Sequence, residues 1–249
     1  VGENDYIDDD KIDLTAMQEN LSSYKGKTST SSPSPHEWEN AFGDADVVFC
    51  ITITSSLSGT YNSAVIAKDI YEQNHAGRKV YVLDSLSTGP EIALFIEKIA
   101  ELIKAGFAPD DIYKTLLEYK DKTHLYFSLA SLNNFAKNGR ISPVIAAGIG
   151  LLGVRVVGKA SDEGTLLPLD KCRGEKRALK KLIDHLKECG YTDGKIIIAH
   201  NNNEAGALEL KKLIENTFGI FNGTIQKTRA LCSYYAEPGS LLIGFEASL

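Results

Sequence analysis

The chain has 249 residues, 43% of them apolar and 24% charged, with a formal net charge of −6. That length buries a sizeable core, in one large domain or two smaller ones. The acidic balance argues against broad nucleic-acid binding, which needs a basic surface, and no apolar run reaches the roughly 18–20 residues that cross a bilayer.

The opening "VGENDYIDDDKIDL" is acidic and polar, has no signal-peptide pattern and lacks Met, so the natural start is expected upstream. Val1 to Lys27 is polar and weakly patterned. "TSTSSPSP" (Thr28 to Pro35) is a hydroxyl-rich loop stiffened by proline. His36 to Phe42 then predicts a short helix, with Ser34 as its cap and Pro35 in its first turn. "DVVFCITIT" and "KVYVLDS" are nearly continuous apolar runs, the pattern of strands covered on both faces. Between and after them come the helical stretches "GTYNSAVIAKDIYEQ", "EIALFIEKIAELIKAG", which stops at Gly106, and "APDDIYKTLLEYKDK". Strand alternating with helix predicts parallel strands and a Rossmann-like α/β domain over residues 1–122.

Past Thr123 the rhythm changes. "HLYFSLA" predicts a strand and "SLNNFAKNGR" a short helix, and "SPVIAAGIGLLGV" is apolar all round. A hairpin is expected to turn at Asp162-Glu163-Gly164. A basic helix, the strand "KIIIAH", the helix "EAGALELKKLIENTF" and the strands "TIQKTRA" and "LLIGFE" complete an α+β domain over residues 123–249.

Ligands of open parallel sheets sit beyond the carboxyl ends of the strands, and "SSLSGT" (Ser55 to Thr60) lies there. A helix start offers unpaired N–H groups and partial positive charge to an anion. Gly59 allows close approach, while Ser58 and Thr60 add hydroxyls; simple capping by Ser58 is the plainer reading. No G-x-x-x-x-G-K-[ST] string exists, and no Lys or Arg lies between Lys27 and Lys68. A polyphosphate needs cationic help. A carboxylate can be held by hydroxyls and amides alone, and the loop Thr28 to Ser34 could face the same crevice. Asp84 could be a nucleophile or metal ligand, or could simply hold the turn after its strand.

"GIGLLG" (Gly148 to Gly153) matches a dinucleotide fingerprint but follows no strand, so it predicts packing, not a cofactor site. His200, at the end of "KIIIAH", is the best-placed histidine but has no catalytic motif around it. Cys50, Cys172, Cys189 and Cys232 form no C-x-x-C pair and read as reduced thiols of a cytoplasmic protein. The cluster Lys171, Arg173, Lys176, Arg177, Lys180 and Lys181 is either a solvated helix face or a docking patch for an acidic partner.

In one order the chain carries "TSSPSP" (Thr30 to Pro35), "SSLSGTYNSA" (Ser55 to Ala64), "VLDS" (Val82 to Ser85), "NNFAKNGRIS" (Asn133 to Ser142) and "RGEKRALKKL" (Arg173 to Leu182). Together these stretches resemble the DegV family of fatty-acid-binding proteins. The resemblance implies a Rossmann-like domain and an α+β domain with one long-chain fatty acid between them. It also implies a carboxylate bound by Thr30, with Ser31 beside it, and by Ser58 and Gly59, and an acyl tail in an apolar tunnel. Members of the FakB type present the acid to a fatty acid kinase subunit, so Arg173, Lys176 and Arg177 are the expected docking residues. No cofactor, metal or nucleic acid is implied, and membrane contact would be transient. The sequence departs from the family in two places. The usual first strand ending in Thr-Asp-Ser is absent and is expected to lie upstream. "SYYAEPGS" puts Tyr235 where the family carries His, and Glu237 where it carries the first Gly of Gly-Pro-Gly; the Tyr235 hydroxyl can still donate to the head group. The rival expectation is a hydrolase or phosphotransferase using Asp84 and the Ser-Gly-Thr turn; a third is a regulatory protein for a smaller carboxylate.

Overall fold

A computed structural model describes residues 1–142 and 153–247. The run "SPVIAAGIGLLGV", with its GIGLLG string, falls almost wholly outside the described residues. The elements in chain order are α1 (Leu14–Ser23), α2 (Pro35–Phe42), β1 (Val47–Thr52), α3 (Thr60–Asn74), β2 (Lys79–Asp84), α4 (Pro90–Lys104), α5 (Pro109–Lys120), β3 (Thr123–Leu129) and α6 (Asn133–Lys137). They continue as β4 (Val154–Ala160), β5 (Leu166–Arg173), α7 (Glu175–Glu188), β6 (Ile196–His200), α8 (Glu204–Phe218), β7 (Gly223–Lys227), α9 (Ala230–Ala236) and β8 (Leu241–Glu246).

β1 and β2 pair in parallel, Val47 opposite Lys79 and Thr52 opposite Asp84. Side chains alternate across a strand, and both faces here are covered. Phe42 of α2 and Ala64, Ala67 and Tyr71 of α3 pack on Cys50, Val80 and Val82. Leu94, Phe95 and Ile99 of α4 and Ile112 and Leu116 of α5 pack with Leu83 on the other face. The second sheet has six strands in the order β5-β4-β3-β8-β6-β7. All its pairs are antiparallel except β6 with β7. One face is closed by α7 and α8, whose Leu179, Leu182, Leu186, Leu210 and Ile214 bury with Ile196, Ile243 and Phe245. The other carries Leu125, Phe127, Leu129, Val156 and Leu242, joined by Leu132, Phe135 and Ala136 from around α6 and Ala236 from α9.

Two contacts lock the sheets together. α4 starts directly on β8: a Cβ on Gly244 would lie 2.4 Å from Glu91 N, so only glycine admits the helix there. Behind it the Glu91 carboxylate, 4% exposed, accepts from Thr123 Oγ1 at 2.8 Å and from Ser87 Oγ. The β4–β5 hairpin reaches the other way and turns at Asp162-Glu163-Gly164 as expected. Gly164 sits at φ 75°, and its carbonyl accepts from Thr54 Oγ1 at 2.8 Å.

Two elements are not among those the sequence predicts. α1 forms within the weakly patterned stretch: Asp13 caps it by accepting from Ala16 N at 3.0 Å, but Met17 is its one buried residue, so its periodicity is faint. α9 begins at Ala230, the last residue of the expected strand "TIQKTRA", and β7 stops at Lys227. The cap of α9 comes from far away in sequence: the Asp8 carboxylate accepts from Ala230 N at 3.2 Å and Leu231 N at 2.9 Å.

Candidate functional site

The turn after β1 is tied down on both sides. Asp84 Oδ1, at the end of β2, accepts from Ser55 N and from Leu86 N, each at 3.1 Å. Leu86 is left-handed at φ 52°, a conformation costly for a residue with a γ-branched side chain, and Asp84 offsets that cost. The carboxylate therefore organises the turn. Among the described residues no group of three His, Cys, Asp or Glu side chains is arranged to share a metal.

The turn ends in a hydroxyl pair. Ser58 Oγ and Thr60 Oγ1 lie 2.7 Å apart, and Ser58 Oγ also accepts from Thr60 N at 3.3 Å. Gly59 is the N-cap of α3 and has no side chain to cap it, so Ser58, one residue earlier, meets only the first N–H of the helix. Two hydroxyls carry two protons. One is spent in the mutual bond, and the other has no acceptor among the described residues. The space beside Gly59 is open: a Cβ there would meet only Ser32 Oγ, at 3.7 Å.

Ser32 belongs to the second hydroxyl-rich loop. Along it Thr28 and Thr30 are half-buried and the serines between and after them are exposed. Thr28 Oγ1 lies 2.7 Å from Tyr234 OH, and Thr30 Oγ1 lies 2.8 Å from Tyr235 OH. Asn138 Nδ2 donates to Tyr234 OH at 2.9 Å, which directs the Tyr234 proton to Thr28. Among the described residues the Thr30–Tyr235 pair has no such third partner, so it too keeps one O–H to give. Phe135 stacks obliquely on Tyr235, ring centroids 4.8 Å apart. Ser34 starts α2 through a reciprocal capping box with Glu37, which fixes where the loop ends. The hydroxyl loop thus touches both Tyr235 of α9, through Thr30, and the space beside Gly59, through Ser32, while Ser31 is exposed between them.

A guanidinium also enters this region. Arg140, beyond α6, donates from Nε to Leu57 O at 3.1 Å and from Nη1 to Asn138 O at 2.5 Å. The fold brings Arg140 across 83 residues to the carbonyl of the residue before Ser58. Nothing local to "SSLSGT" signals it.

Arg173, at the end of β5, and Lys176 and Arg177 of α7 are exposed, and among the described residues none of them forms an ion pair. Arg155 anchors this region to the chain just past α9, pairing with Glu175 at 3.2 Å and donating to Gly239 O at 2.6 Å. His200 is buried, its pKa pushed down by desolvation, and Nδ1 accepts from Asn203 N at 3.3 Å. That is a structural role. All four cysteines are free thiols, and no helix among the described residues is long and apolar enough to cross a membrane.

A parallel strand pair with paired hydroxyls beyond the carboxyl end of β1, backed by a larger mixed sheet, defines an α/β protein with a hydroxyl-rich candidate site. A family model described as "Uncharacterised protein, DegV family" matches residues 1–248, and the chain belongs to that family. A DegV domain-containing protein of Streptococcus pneumoniae is 40% identical over 246 residues, 99% of this chain and 88% of that protein. Among solved structures, a DegV family protein from Eubacterium eligens loaded with heptadecanoic acid superposes with a TM-score of 0.97 at 40% identity, covering 100% of this chain and 90% of that one. The Streptococcus pneumoniae Fatty Acid Kinase (Fak) B3 protein loaded with linoleic acid gives the same score and identity, with 100% and 88% coverage. A Ruminococcus gnavus DegV protein refined with vaccenic acid is 28% identical with a TM-score of 0.89, covering 97% of this chain and 87% of that one.

Proposed function

We propose that this chain binds one long-chain fatty acid and carries it without transforming it, in the cytoplasm, probing membranes only in passing. The two hydroxyl pairs carry the reading. Each has one uncommitted O–H, and a carboxylate has two oxygens to satisfy. Thr30 with Tyr235 would serve one oxygen. Ser58 with Thr60, beside the open start of α3 at Gly59, would serve the other. Hydrogen bonds to a charged acceptor are worth about 1.5–3 kcal/mol each. The tail outweighs them: at about 0.8 kcal/mol per buried CH2, a C16 chain contributes about 12 kcal/mol gross. The head-group hydroxyls therefore select acids over esters and fix orientation, and the apolar face of the six-stranded sheet supplies affinity. We place the division between two domains near residues 122 and 123, with the acid between them.

Fatty acids in relatives at 40% and 28% identity support this reading. The kinase association carried in the name of the pneumococcal relative supports presentation of the bound acid to a fatty acid kinase subunit, with Arg173, Lys176 and Arg177 as docking residues. The bonds from Asp84 to Ser55 and Leu86 weigh against the hydrolase or phosphotransferase reading, which needs that carboxylate free. Organic extraction of the purified chain, followed by mass spectrometry, tests the proposal. A stoichiometric C14–C20 acid is expected. Absence of lipid together with no binding of added palmitate or oleate overturns it.

A further inference from the structure

Glu237 ends α9 with φ 58° and ψ 160°, a backbone region open almost only to glycine. Something must hold a side-chain-bearing residue there. Its carboxylate Oε1 accepts from Ser131 Oγ at 2.9 Å and from Asn134 N, in the first turn of α6, at 3.1 Å. The bond is returned: Asn134 Nδ2 donates to Tyr234 O, near the open carboxyl end of α9, at 2.8 Å. Helices of 5 and 7 residues are too short to persist alone, so each depends on this exchange. The two helices also lead to the two hydroxyl pairs. α9 carries Tyr235, bound to Thr30. α6 runs on to Arg140, which holds Leu57 O one residue before Ser58.

We propose that Glu237 is a positioning residue for the head group: its carboxylate locks α6 to α9 and so sets the separation of the Ser58–Thr60 and Thr30–Tyr235 pairs. The inference rests on the fatty-acid reading above. It locates selectivity for the acid in a residue outside both pairs.

The test compares palmitic acid with hexadecanol, which share a tail and differ in the head. Glu237→Gly relaxes the backbone while removing both carboxylate bonds, so these effects oppose each other in Tm. The ratio of acid to alcohol affinity is expected to fall about tenfold, the worth of one displaced hydrogen bond to a charged acceptor. Asn134→Ala leaves the Glu237 backbone in place, removes the return bond and lowers the same ratio; it carries the test should the glycine variant not fold. Glu237→Gln keeps one amide oxygen as acceptor and should restore the ratio to within about twofold of the parent. A wild-type ratio in folded Glu237→Gly overturns the inference, as does a wild-type ratio in Asn134→Ala where the glycine variant does not fold. A parent protein that binds neither ligand overturns the fatty-acid reading instead.

Discussion

Replacing Tyr235 by Phe removes one hydroxyl from the Thr30–Tyr235 pair, whose oxygens stand 2.8 Å apart. In the parent protein one of the pair's two protons bonds the partner oxygen, and the other is free for a ligand. With Tyr235→Phe the Thr30 proton has no partner and turns to the carboxylate. Thr30→Val is the mirror case, with the Tyr235 proton released. Either single change loses the pair bond in free and bound protein alike, so affinity for palmitate should drop by no more than about threefold. The double variant has no donor on this side and forfeits a bond to a charged acceptor, about 1.5–3 kcal/mol, or at least about tenfold. A double-mutant cycle read by isothermal titration should therefore show a coupling of about 1–2 kcal/mol, far outside additivity. Thermal unfolding of each variant controls for misfolding. Singles that each cost tenfold, or a double that costs nothing, would refute the proton count and with it the head-group geometry.

The other predictions concern how the site is held. Asp84→Ala strips the acceptor from two N–H groups and should lower stability by about 1–2 kcal/mol in urea unfolding, whereas Asp84→Asn, which keeps an amide oxygen, should lose less than half of that. An enzyme reading would instead require both variants to abolish a turnover. Ser34→Ala breaks the capping box at the end of the hydroxyl loop and should cost about 1 kcal/mol of stability by the same assay. Burial raises the Glu91 carboxyl above its ordinary 4.5. The folded state then holds that proton more tightly than the unfolded chain, so this residue's contribution is complete below about pH 4.5 and is lost as pH rises through the folded pKa. Glu91→Gln should flatten that part of the stability–pH curve above pH 4.5; an unchanged difference between parent and variant across pH 4–8 would count against it.

The elements that can be read from the chain are those whose causes are local. Ser34, Pro35 and Glu37 write the start of α2 within four positions, and Asp162-Glu163-Gly164 marks the hairpin tip because the chain must turn left-handed there. The buried runs of β1 and β2 announce a sheet covered on both faces. α9 is illegible because its cap is Asp8, 222 residues before Ala230, and α1 because a single buried Met17 leaves no stripe to detect. The candidate site divides in the same way. Ser58 and Gly59 stand out by composition beyond the end of β1, and Thr30 in the hydroxyl-rich loop before α2. Their partners do not: Thr60 reads only as an added hydroxyl, Ser32 is hidden beside Ser31, and Arg140 reaches Leu57 only through the fold. A hydroxyl-rich string shows how many donors a loop owns, but only the folded pairings show how many remain to give.

A crystal structure of the chain with palmitic acid tests the central claim most directly. The expected result puts one carboxylate oxygen within about 2.5–3.0 Å of the Thr30 or Tyr235 hydroxyl and the other within the same distance of the Ser58 or Thr60 hydroxyl, with the tail leading away toward Leu125, Phe127 and Leu129. A carboxylate seated against lysines elsewhere, or a space beside Gly59 filled by protein side chains alone, would contradict it.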